Sequence, residues 1–147
     1  MLRLIALCAG IAASPAVAAE VHPCEEAEIS ALFLAEPWEA NTQVFANGNV
    51  RLAILDMIEP AAAAFHLLIL SPPFRELGLP TCQVVSFDGS LGYMVMSLDG
   101  LTSSYDPATG LSFQIPMAIG PEPFDEGVLF ITLNQATGVV AAEDIGS

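Results

Sequence analysis

Residues 50–71, VRLAILDMIEPAAAAFHLLILS, constrain the fold more than any other stretch of the chain. They hold two apolar runs, 50–58 and 65–70, separated at Glu59-Pro60. Proline lacks a backbone donor and has a fixed φ, so it ends a ladder more readily than it continues one. The runs predict two central strands of one buried sheet. In the first, Val50, Leu52, Ile54, Asp56 and Ile58 share one parity, and Arg51, Ala53, Leu55 and Met57 the other. Neither parity is polar, and a strand apolar on both sides must be covered on both sides. The second run has a helical alternative, because Pro60 at a first helical position and the alanines 61–64 suit a helix through Leu70. The shortness of FHLLIL and the Ser71-Pro72-Pro73 boundary favour a strand. His66 then shares a face with Leu68 and Leu70, opposite Phe65, Leu67 and Ile69.

The flanks extend this sheet. Residues 42–46 (TQVFA) precede Asn47-Gly48, and both of these residues tolerate positive φ. A hairpin onto the first central strand follows. Residues 24–36 (CEEAEISALFLAE) are expected to form a helix. Glu25, Glu26 and Glu28 suit its positive dipole end, and Ile29, Leu32, Phe33 and Glu36 follow helical spacing. Pro37 sets its end. Trp38 is expected to pack between helix and sheet. Further along, 82–87 and 91–96 make a hairpin through Asp88-Gly89-Ser90, and 99–106 is polar with one helical turn. The run 111–119 is a strand marked as edge or bulge by Pro116, and 128–133 pairs with 139–142. The fold class is α+β: one N-terminal helix on a mainly antiparallel meander of six to eight strands, in a single domain.

The N-terminus reads as a secretory signal peptide. Arg3 gives a short basic region, 4–13 (LIALCAGIAA) an apolar core, Ser14-Pro15 a break and 16–19 (AVAA) a cleavage site. The apolar core is too short for a membrane span, which needs ~20 residues. Cleavage is expected after Ala19, with Ala18 nearly as good. The chain then divides into residues 1–19, the leader, and 20–147, an exported domain in the periplasm or outside the cell. Its strong bases are Arg51 and Arg75 against 17 acidic residues, a formal charge of −15, compared with −14 for the whole chain. Phosphate recognition needs a basic footprint, so nucleic acid is excluded as a partner and an anionic membrane disfavoured. No stable membrane insertion is expected after cleavage. Cys24 and Cys82, an even pair in an exported chain, predict a disulfide.

Residues with catalytic chemistry are sparse. The available bases are His22, on an N-terminal arm, and His66, in an apolar strand. No Ser sits in a G-x-S-x-G elbow, and Ser103-Ser104 read as caps. A catalytic set is absent; His66, Asp56 and Ser104 are the weak candidates for a small exported hydrolase. Asp56 is expected to pair with Arg51 or Arg75, since a buried carboxylate needs a partner. The acidic turns at 88–90, 99–100 and 122–126 are solvated, and neither a metal motif nor a cofactor fingerprint is present. The function best supported is a non-enzymatic binding or scaffolding module of the bacterial envelope. Its candidate partners are an envelope protein or a small apolar ligand. An apolar-ligand carrier, with the helix closing a curved sheet over a cavity, is the third reading.

Overall fold

A computed structural model describes residues 16–58 and 63–146. The expected helix is absent: among the described residues no helix exceeds three residues, and the chain forms two antiparallel sheets. The smaller sheet contains β2 (Glu20–Pro23), β3 (Thr42–Phe45), β4 (Val50–Asp56), β5 (Phe65–Ser71) and β6 (Thr81–Ser86), in the order β2-β6-β5-β4-β3. The larger contains β1 (Ala16–Ala18), β7 (Val95–Met96), β8 (Thr102–Asp106), β9 (Gly110–Ile119), β10 (Asp125–Asn134) and β11 (Val139–Gly146). Its order is β1-β11-β10-β9-β7, with β8 also on β9.

The two apolar runs are β4 and β5, adjacent and antiparallel with Leu52 opposite Ile69 and Ile54 opposite Leu67. The Asn-Gly turn delivers β3 onto β4, with φ of 57° at Asn47 and 88° at Gly48. Val50, Leu52, Ile54, Leu67, Ile69 and Val85 form the inner face of the small sheet and share one core with Phe113, Ile115, Leu129, Ile131 and Leu133 of the large one. Phe45 meets Phe113 edge-on across the layers at 4.8 Å. The second sheet covers one face of β4; on the other, Ala53 and Leu55 are buried and Arg51 is exposed.

Residues 24–36, expected as a helix on that face, are not helical. Glu28 has φ 48°, left-handed backbone that a helix does not accept. Ser30 then spends its hydroxyl capping a three-residue 3-10 turn, Ala31–Phe33, by accepting from Leu32 N at 3.3 Å. Leu32 is left 89% exposed, so the apolar stripe never closes. The segment instead acts as a strap. It starts at Cys24, bonded to Cys82 on β6, and ends where Leu34 bridges Leu55 and Ala35 N donates to Ile54 O on β4. Trp38, expected between helix and sheet, is 56% exposed.

Residues 91–96 also depart from expectation. They do not pair with β6; the chain turns at Asp88–Leu91, sends the fully buried Tyr93 between the layers, and joins β9 through β7. Residues 102–106 form a strand rather than a helical turn. Pro116 sits mid-sheet, opposite Val128. Its carbonyl accepts from Ser97 N on the β7 side, so its missing N–H falls in the gap between β7 and β8, where no ladder bond is lost. No described helix is long and apolar enough to cross a membrane. That and the disulfide are compatible with export. Residues 1–15 of the expected leader, Cys8 among them, lie outside the described residues, as do 59–62.

Candidate functional site

The strap leaves a cleft of about 580 Å³ between itself and the outer face of the small sheet. Its floor is sheet: His66 on β5, and Val84 and Ser86 on β6. Its rim is the strap, with Glu25, Glu26 and Glu28. The strap is held at the rim by the Cys24–Cys82 disulfide, whose Cα atoms are 5.4 Å apart, and by Arg75 Nη1, which donates to Glu25 Oε1 at 2.9 Å. Backbone hydrogen bonding, and then Arg75, hold the Glu25 carboxyl below its ordinary range.

Register explains how the floor became polar. Leu55 faces His66 across β4–β5, and Val84 faces His22 and Ser86 faces Glu20 across β6–β2. All of these side chains project to one face. His66 is 5% exposed, and its Nδ1 lies 3.0 Å from the Ser86 Oγ, itself on a buried residue. Burial, and after it the nearby His22, push the His66 imidazole below its ordinary pKa. A neutral ring bonded to a hydroxyl results. His22 Nε2 lies 3.2 Å from Glu20 Oε2, near enough to feel its charge but outside hydrogen-bond geometry. The Glu20 carboxylate accepts instead from Gly89 N at 2.9 Å, which closes the wall of the cleft.

Gly92 explains why the ring stays there. A Cβ at this position would lie 2.8 Å from His66 Nε2 and 2.3 Å from Phe65 O, so only glycine lets the chain pass. Gly92 N donates to Ala63 O at 2.8 Å, which fixes that passage.

The three residues singled out from sequence are not brought together. Asp56 pairs in register with Phe65, so it projects to the face opposite His66. Its Oδ1 accepts from Ile58 N at 3.0 Å, which makes it a strand-end turn. The ion pair expected between Asp56 and an arginine does not form: Arg51 is exposed, and Arg75 takes Glu25. Ser104 lies on exposed β8 in the other sheet, opposite Ser112, and is not a cap. The structure instead gives His66 a partner that sequence reasoning passed over, Ser86. It lay hidden in the apolar strand CQVVSF, and only the β5–β6 register reveals it.

Among the described residues, no three metal-ligating side chains meet. The chemistry on offer is hydrogen bonding from a neutral imidazole–hydroxyl pair under an anionic rim. Comparison with protein-family models, with curated proteins and with solved structures finds no match for this chain.

Proposed function

We propose that this protein is an exported, non-enzymatic binding module, and that its cleft holds the cationic end of a small amine-bearing ligand. The carrying observation is the pairing of an open cleft of about 580 Å³ with a buried polar floor at His66 and Ser86 beneath the three-glutamate rim. An ammonium seated there meets carboxylates at the rim, the chemistry that amines require, above a floor kept polar by the His66–Ser86 pair. The field of a chain with formal charge −14 raises the local concentration of such a cation before it docks.

The test is calorimetric titration of the exported protein with 1,4-diaminobutane at low and high salt. Binding that weakens with salt, and weakens further in a Glu25→Gln, Glu26→Gln double variant, is the expected result. Heats indistinguishable from dilution would remove the reading.

A second reading, a small hydrolase, is supported by the 3.0 Å His66–Ser86 contact, a base beside a nucleophile type. Against it, Ser86 is only 3% exposed and is the sole hydrogen-bond partner of His66 among the described residues, so no carboxylate orients the ring. Any ester hydrolysis that survives Ser86→Ala would end it. The apolar-carrier reading relied on a helical lid over residues 24–36, and these residues form no helix beyond a three-residue 3-10 turn.

A further inference from the structure

The outer strand of the large sheet is covered along part of its length only. β11 pairs with β10 residue for residue from Val139 to Gly146, without a bulge. On its other side it meets β1, with Ala16 opposite Ile145, Val17 opposite Asp144 and Ala18 opposite Glu143. Among the described residues, no strand lies beside Val139–Ala142 on that side. An unpaired edge is a template for another chain, and proteins defend it with lysine, proline, bulges or charge. Residues 139–145 (VVAAEDI) hold neither lysine nor proline. Their two acids defend the edge weakly. Glu143 is exposed, but Asp144 is 4% exposed, and its Oδ1 accepts from the Tyr93 hydroxyl at 2.8 Å. That carboxyl sits on the core face of the strand rather than along its edge.

The segment that covers the rest of the edge is the one expected to leave. Residues 16–18 belong to the leader, and cleavage after either Ala18 or Ala19 removes all of β1. Glu20, which stays, is held in the other sheet by the pairing of β2 with β6. Processing therefore extends the open edge from residues 139–142 to residues 139–145. An ordinary strand has about 5–6 residues, a length that the longer opening provides and the shorter one does not.

We propose that leader removal turns β11 into a docking edge for an extended peptide of another exported protein, which adds to the large sheet antiparallel and in the place that β1 held. This rests on the reading of the chain as exported, and it is independent of the amine cleft, which lies on the other sheet. The chemistry of the guest follows from the edge. Opposite Glu143–Ile145, β1 supplies small, uncharged residues. Val139 and Ile145, 62% and 40% exposed on the outer face, offer apolar cross-strand contacts to β-branched residues of the guest. An acidic segment is repelled by Glu143 and by the field of a chain with formal charge −14. A second copy is disfavoured for the same reason, since its own β11 carries the same acids.

The test is an amide NMR titration of ¹⁵N-labelled protein recovered from a periplasm, with its first residue fixed by intact mass. The probe is the acetylated and amidated peptide Ala-Val-Ala-Ala-Thr-Val-Thr-Val, which copies residues 16–19 and continues in strand formers. A control peptide carries proline at its third and fourth positions. Neighbouring residues of a strand aim their N–H groups to opposite edges, so one of the two prolines removes a ladder donor. Full-length chain that keeps its leader is titrated alongside. In the processed chain, saturable shifts are expected along 139–145 and not at β3, the edge of the small sheet. The control peptide should bind at least about ten-fold more weakly. In the full-length chain, residues 143–145 should not respond. Equal binding of the two peptides, shifts spread over both sheets, none along β11, or an equal response at 143–145 with the leader attached would each overturn this inference alone. A chain left unprocessed in the periplasm sinks the export reading with it.

Discussion

His66 illustrates how one residue ties the fold to the site. Its ring is buried and neutral, so its pKa in the folded chain lies below the unfolded value of about 6.5. A base with a depressed folded pKa contributes stability above its unfolded pKa and loses it as pH falls through 6.5 towards the folded value. Denaturant midpoints should therefore drop between pH 7 and 5, and His66→Gln should flatten that part of the profile. Gly92 sets the ring's position from the other side. Gly92→Ala forces a Cβ against Phe65 O and the imidazole, a close contact that backbone movement must relieve. Overpacking of this kind costs about 1–3 kcal/mol, to be read from equilibrium unfolding. Ser86 is the complementary case, a single hydroxyl whose meaning depends on strand order. The sequence showed its parity with Val84 but not which strand would lie beside it.

At the scale of elements, the local signals were legible and the long-range ones were not. The β4–β5 pair could be read because two apolar runs flank a Glu-Pro break, and the β3–β4 turn because Asn-Gly accepts positive φ. The β10–β11 hairpin likewise announced itself through Asn134, whose Oδ1 accepts from Ala136 N and Thr137 N. The expected helix failed for a physical reason: its apolar stripe covered one turn only, and helices draw most of their stability from such a stripe. The disulfide pins the resulting strap by one end, so the strap depends on it more than a packed helix would. Closing a separation of 58 residues is worth about 4 kcal/mol on the chain-entropy view. A Cys24→Ser, Cys82→Ser variant should lose stability of that order. It should also show faster amide exchange at 25–29 than in β4 or β5. Equal protection across all of these segments would mean that the strap is held by other contacts.

The whole molecule is a two-layer sandwich with a filled, shared core and an unusually negative surface. The two layers were legible as a requirement: a strand apolar on both faces needs two covers, and beyond the expected helix the other had to be more sheet or a partner; which strands would form that second sheet was not legible. Phe113 is fully buried and joins the layers through Phe45, so Phe113→Ala should cost about 3–5 kcal/mol in chemical denaturation. Self-repulsion at a formal charge of −14 should make the fold salt-dependent, with the thermal midpoint rising between about 10 mM and 0.15 M salt as screening sets in. The central claim is that the cleft under the strap receives a cation. The most direct measurement is an amide NMR titration of the folded protein with 1,4-diaminobutane. Saturable shifts at Glu26, Glu28, Ser86 and Gly89 that shrink with added salt are expected, while the β9–β10 amides stay still. Shifts spread evenly over the acidic surface, or none at Ser86 and Gly89, would contradict it.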